Sequence, residues 1–126
     1  MATRRQQSVG RVLQEAVAEV IQRELRDPRI GFVTVVGVEI SADLRHARVR
    51  VSILADSEEE CGECLAGIES ARPYIQRLVA ERVRLRYAPM LVFVRDRGSE
   101  NAERVARILH EIAAEQQREG DAGGTP

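Results

Sequence analysis

The order of periodic segments predicts an α+β domain: helix, strand, strand, kinked helix, strand, helix, with a three-stranded mixed sheet and the helices on one face. Three observations carry this. A helical apolar stripe in the first 25 residues ends at Asp27-Pro28-Arg29 and passes at once into β-branched strands. Strand, long helix and strand then follow in succession, and such a crossover is normally right-handed and leaves its two strands parallel. A chain of 126 residues suits one domain, able to bury about two-thirds of its unfolded surface without metal or disulfide support.

Each element has a local reason. Val9, Val12, Leu13, Ala16, Val17, Val20, Ile21 and Leu25 recur at helical spacing, with Ser8 placed to cap the helix. Pro28 disfavours helical geometry in Asp27, so the helix stops there. Phe32, Thr34, Val36, Val38 and Ile40 alternate on one face of the next strand; Ala47, Val49, Val51 and Ile53 line one face of its partner, with Arg48 and Arg50 on the other. Residues 42–45 suit a hairpin connection. Ser57 to Glu60 reads as a capping box, its acids at the positive end of a helix dipole. The helix that follows buries Cys61, Cys64, Leu65, Ile68, Ala71, Ile75, Leu78, Val79 and Val83, and Pro73 predicts a kink or two short helices. Met90 to Val94 is a third strand. Ser99 is placed to cap a last helix with Val105, Ile108, Leu109, Ile112 and Ala113 as its core residues, and residues 114–126 read as a flexible tail.

Composition removes many functions. All 19 basic residues are arginine. Without lysine there can be no P-loop nucleotide hydrolysis and no Schiff-base or pyridoxal chemistry of the usual kind. No GxSxG, HExxH or nucleotide-binding GxGxxG is present, so neither an enzyme nor a cofactor is expected. Cys61 and Cys64 form a lone CxxC with no second ligand pair; His46 and His110 lie outside metal-ligand spacing, and no metal site is expected. The CxxC reads as two small apolar helix residues, with a redox role as the competing view. Neither an apolar run of membrane-spanning length nor a secretory signal is found, which predicts a soluble, cytoplasmic protein.

The net charge of -1 conceals segregation. Residues 51–70 carry six acids and no arginine, whereas residues 71–97 carry seven arginines and two acids. Basic blocks that converge in the fold would mark a polyanion site. The four aromatic residues, Phe32, Tyr74, Tyr87 and Phe93, are too few for a base-stacking sheet platform, and both phenylalanines are expected in the core. Arginine is left as the gripping group, through bidentate pairing with phosphate.

The series Asp27-Pro28-Arg29, Val33-Thr34-Val35 and Val38, Ser41-Ala42-Asp43-Leu44, Ala47, Val51-Ser52, then Leu85-Arg86-Tyr87-Ala88-Pro89 with Leu91, Phe93 and Asp96, resembles the bacterial ribosome-binding factor A family over about residues 8 to 113. The resemblance implies a type II KH-like RNA-binding domain over residues 1–113. In that family a kinked helix carrying Ala-x-Gly replaces the GxxG loop of ordinary KH domains. The matching place here is Ala71-Arg72-Pro73, where proline keeps a reason for a kink but denies close backbone approach, leaving contacts to the Arg72 and Arg77 side chains. Met90 stands where the family usually has an acidic residue. The only GxxG, Gly120 to Gly123, lies in the tail and is read as chance.

The implied function is a non-catalytic assembly factor. It would bind free 30S subunits and pre-30S particles through 16S rRNA near helix 1, and serve late maturation, 5′-end processing and growth in the cold. Other assembly factors, GTPases among them, would be further partners, with no membrane involved and the chain a monomer. The candidate rRNA-binding residues are Arg4, Arg5 and Arg11 at the start, Arg45, Arg48 and Arg50 on the hairpin, Arg72, Arg77, Arg82, Arg84 and Arg86 around the long helix, and Arg95 and Arg97 after the last strand. Arg29 has two readings, a corner salt bridge and a phosphate contact. The competing class is a protein-interaction module whose arginines only keep it soluble.

Overall fold

A computed structural model of the chain describes residues 2–85 and 87–123, with side chains described as far as residue 118. The element order is α1 (Arg4–Arg23), β1 (Phe32–Ile40), β2 (His46–Leu54), α2 (Glu58–Arg82), β3 (Met90–Arg95) and α3 (Arg97–Gly123). The sheet order is β1-β2-β3, with β1 antiparallel and β3 parallel to the central β2. This is the mixed sheet that a strand-helix-strand crossover demands.

Helix α1 begins earlier than its apolar stripe. Thr3 caps it in place of Ser8, its hydroxyl accepting from the Gln6 N–H while the Gln6 side chain accepts from the Thr3 N–H. That reciprocal pair satisfies two otherwise orphaned donors and recruits one more turn. Helix α2 runs unbroken through Pro73 for 25 residues, so no second helix begins there. Ser57 caps it through the Glu60 N–H, but Glu60 turns to accept from Asp56 rather than closing the expected box.

Strand β1 departs from simple alternation. Val35 pairs with Val51 and Gly37 with Arg50, so Val36 is an extra, bulged residue. The bulge shifts the phase by one. Val33 and Val35 face the helices before it, and Val38 and Ile40 after it, opposite Ile53, Val51, Val49 and Ala47. Phe32 and Thr34, expected on that face, lie on the opposite one, and Phe32 is 78% exposed instead of buried in the core. Gly37 is the residue that makes room, since a Cβ there would stand 2.5 Å from the Arg50 Nη2.

The core lies between the sheet and the α1–α2 layer. Leu13, Val17 and Val20 from α1 and Cys61, Ile68, Ile75 and Val79 from α2 are buried against Val49, Val51, Ile53, Leu91 and Phe93. Helix α1 approaches β1 so closely that a Cβ at Gly10 would be 2.9 Å from the Val38 carbonyl oxygen. Three glutamines tie these helices to exposed strand edges. Gln76 donates to the Pro89 carbonyl at 2.8 Å and accepts from the Leu91 N–H at 2.9 Å, pairing with β3 as another strand would. Gln6 donates to the Ile40 carbonyl at 3.0 Å, and Gln14 reaches the Val35 and Val36 carbonyls at the bulge. Filling edges in this way blunts pairing with other chains.

Helix α3 does not join the helical layer. It stands beside the end of β2, past the point where β3 stops, and the Glu100 carboxylate there accepts the Ile53 N–H at 3.1 Å. Its cap is Asp96, whose carboxylate accepts from the Ser99 N–H at 2.9 Å, not Ser99 itself. Val105, Ile108, Leu109 and Ile112, expected as core, are all about half exposed and Ala113 is exposed as well, because α3 lies away from the α1–α2 layer and meets the end of β2 and the start of the connection after it. The helix continues through the segment expected as a flexible tail, as far as Gly123.

Candidate nucleic-acid interface

The candidate arginines divide by whether the fold already neutralises them. Arg95 is the most deeply held, its side chain only 10% exposed. It donates to Glu100 at 2.8 and 2.9 Å and to Glu58 at 2.8 and 2.9 Å, joining the end of β3 to the starts of α2 and α3. These two carboxylates raise the Arg95 pKa, and Arg95 in turn pulls the Glu58 carboxyl down to about 2. Arg97 adds a 3.2 Å contact to Glu58.

Other arginines hold elements together as well. Arg50 lies across Gly37 and donates to Asp96 at 2.8 Å; its Nε sits 3.0 Å from Glu39 without making a hydrogen bond. Arg82 ties α2 to α1 through Glu24 at 2.9 Å and Glu19 at 3.4 Å. Arg48 and Arg72 have looser partners, Glu39 at 4.0 Å and Glu69 at 3.8 Å. Arg29 adopts the corner reading: it pairs with Asp27 at 2.7 Å, and that bond is the main cause of a lowered Asp27 pKa.

Arg4, Arg5, Arg11, Arg45 and Arg84 are exposed and have no carboxylate partner among the described residues. Arg77 rests on the Tyr74 ring, 5.3 Å from its centroid, and likewise has no carboxylate partner among them. Arg86 lies outside the described residues.

Two of these cations come together. Arg5 from α1 and Arg45 from the β1–β2 turn line one cleft of about 650 Å³, completed by Val9, Asp43, Leu44 and by Leu85, Tyr87, Ala88 and Pro89 of the α2–β3 connection. Arg84 belongs to that same connection. The N-terminal and hairpin arginines, far apart in sequence, thus meet at one cleft, which the α2–β3 connection completes with Leu85, Tyr87, Ala88 and Pro89, whereas Arg72, Arg77 and Arg84 do not line it. Arg4 and Arg5 also occupy the first turn of α1, which contains no acid. Cations there oppose the positive end of the helix dipole, a cost that a bound anion offsets.

The turn beneath is rigidly wired. Asp43 accepts from the Ser41 hydroxyl at 2.6 Å and from the Arg45 N–H at 3.0 Å; these bonds, Ser41 first, hold its pKa below the usual carboxylate range. The His46 N–H donates to the Ser41 hydroxyl at 3.0 Å, and the Met90 N–H to the Arg45 carbonyl at 2.8 Å. Leu44 is forced to φ 61°, a left-handed conformation that costs a non-glycine residue about 1–2 kcal/mol. Its half-buried side chain forms part of the cleft wall.

Sequence reasoning named the arginines but missed Leu44, Leu85, Tyr87 and Pro89 as site residues. They were visible only as members of the family-like motifs, and about forty residues separate the two motifs that share the cleft. Cys61 and Cys64 are both buried, and burial pushes the Cys64 thiol up, which is a packing environment rather than that of a reactive thiolate. Among the described residues no three side chains are grouped to hold a metal, and no helix is long and apolar enough to cross a membrane.

Comparison with known proteins places this geometry in context. Residues 5–109 match the family described as Ribosome-binding factor A. The ribosome-binding factor A of Thermomicrobium roseum is 46% identical over 122 residues, covering 97% of this chain and 94% of the relative. That of Halothermothrix orenii is 38% identical over 123 residues, covering 98% and 100%. The crystal structure of ribosome-binding factor A from Thermus thermophilus superposes with a TM-score of 0.61 at 31% identity, over 71% of this chain and 94% of that one. A homology model of the Thermus thermophilus factor, fitted into a cryo-EM map of its 30S complex, gives 0.57 at 34% identity, over 69% and 90%.

Proposed function

The chain belongs to the ribosome-binding factor A family, and from that premise we propose that it is a non-catalytic assembly factor of the cytoplasm that binds the small (30S) ribosomal subunit through 16S rRNA. The observation that carries this is the meeting of Arg5 and Arg45 at one cleft, with no carboxylate partner for either arginine among the described residues. Such cations keep their full value for phosphate, since nothing in the fold must be broken to release them. Arg50, Arg82 and Arg95 would have to surrender internal ion pairs first.

The mechanism is a shift of populations. The protein binds one conformation of the RNA better than its competitors and enriches it by that difference in affinity. Contact near helix 1, support of 5′-end processing and a role at low temperature are the finer parts of this reading. In the cold, misfolded RNA escapes more slowly, so a factor that biases the choice matters more.

Co-sedimentation with purified small subunits over a salt series tests the proposal. The native chain should pellet with subunits and release them as salt rises. The Arg5→Ala, Arg45→Ala double variant should bind more weakly and lose roughly 1.4–1.8 from the salt slope, the value of two phosphate contacts. Absence of native binding at low salt would end the ribosome reading. Binding indifferent to salt and to both arginines would favour a protein partner, for which the exposed apolar face of α3 is the specific observation.

A further inference from the structure

We propose that the cleft between the start of α1, the β1–β2 turn and the α2–β3 connection takes one unstacked nucleotide of single-stranded RNA, an inference that rests on the RNA-binding reading above. Phosphate alone needs no such space. An arginine on a surface suffices to pair with a backbone phosphate, whereas this cleft, at about 650 Å³, lies within the size range of sites that enclose small molecules. Its apolar walls, Val9, Leu44, Leu85 and Ala88, offer nothing to a phosphate and suit the flat face of a base.

Charge selects the class of occupant. Arg5 and Arg45 have no carboxylate partner at the cleft, and its one acid, Asp43, is already engaged by the Ser41 hydroxyl and the Arg45 N–H. The ligand that fits both lining and charge is therefore apolar in one part and anionic in another, as a nucleotide is. Tyr87, 77% exposed, supplies the aromatic face on which a base can stack. The strained Leu44 points the same way: a glycine would sit at φ 61° without cost, but only a side chain furnishes wall. A duplex cannot use such a site, because its bases are stacked and paired.

Tyr74 and Tyr87 are the only tyrosines and the chain has no tryptophan, so in a Tyr74→Phe background the emission of Tyr87 reports the cleft directly. The full chain would be titrated with a uridine octanucleotide and with a short RNA duplex at the same salt. The expected result is quenching of Tyr87 emission by the single strand alone. Tyr87→Ala, at an exposed position, should weaken the single strand about five- to hundredfold while leaving duplex affinity unchanged. Equal binding of both RNAs with unchanged Tyr87 emission would overturn the nucleotide site and leave phosphate binding by the arginines standing. Failure to bind either RNA at low salt would overturn the RNA-binding reading itself, and this inference with it.

Discussion

Changing Glu100 to glutamine removes a charge and almost no volume from the point where three elements are tied. The Glu100 side chain is 3% exposed; it accepts from Arg95 on both oxygens and from the Ile53 N–H. The amide of Glu100→Gln can keep one of these acceptors but turns donors toward the guanidinium. Removing one partner of a buried ion pair costs about 3–5 kcal/mol. Arg95 retains Glu58, which is largely exposed, so the lower end applies, about 3 kcal/mol. A domain of this length has roughly 6–19 kcal/mol in all, so the loss is a large fraction of it. With a urea m-value of about 2 kcal/mol/M, the unfolding midpoint should fall by about 1.5 M. Equilibrium urea unfolding followed by circular dichroism measures it. The double variant Arg95→Met, Glu100→Leu, which leaves no orphaned buried charge at this pair, should cost less than the sum of its single changes. A Glu100→Gln midpoint within about 0.2 M of the native one would refute the view that this pair anchors α3.

Two further outcomes are expected. Glu58 is drawn from an ordinary 4.5 to about 2 by Arg95, and Asp27, Asp43 and Asp96 are likewise depressed, so their contributions to stability are complete above about pH 4.5 and are lost as pH falls toward 2. Thermal unfolding should show a nearly constant Tm from about pH 7 to 5 and a decline below that, with a shallower decline in Glu58→Gln; an unaltered slope in the variant would show that Glu58 takes no part. Gly10→Ala places a methyl 2.9 Å from the Val38 carbonyl oxygen, and overpacking of about 1–3 kcal/mol should outweigh the roughly 1 kcal/mol that alanine gains as a helix former. Its Tm should drop, whereas relief of helix propensity alone would raise it.

The element order was legible because its main boundaries have local signals: the β-branched run starts β1 and Ser57 caps α2, while Pro28 bars a helix through Asp27 although α1 already ends at Arg23, capped by Glu24. What stayed hidden depends on partners distant in sequence. The bulge at Val36 sets Gly37 opposite Arg50, whose guanidinium fills the space a Cβ would take, and alternation within one strand carries no trace of a partner across the sheet. The stripe Val105, Ile108, Leu109, Ile112 has the period of a buried helix, but a period records only which residues share a face, never what lies opposite. Arg95 and Arg5 read alike as members of basic blocks. Only the positions of Glu58 and Glu100 separate the one that holds the fold from the one with no carboxylate partner among the described residues. The Thr3-Gln6 capping box, by contrast, is a local T-x-x-Q signal in the sequence, set apart from the apolar stripe, which starts later.

Among the described residues, the hydrogen bonds that fasten helix α3 to the sheet lie near one end, between Glu100 and both Arg95 and Ile53 and between Glu103 and Ser52. Its 27 residues, at about 1.5 Å each, make a rod about 40 Å long. Such a rod is a lever with a short base. A rotation of about 10° at the ionic knot carries the far tip through about 7 Å. A small rearrangement among Glu58, Arg95 and Glu100 would therefore be felt at the tip as a shift of about two base-pair steps, with the core left in place.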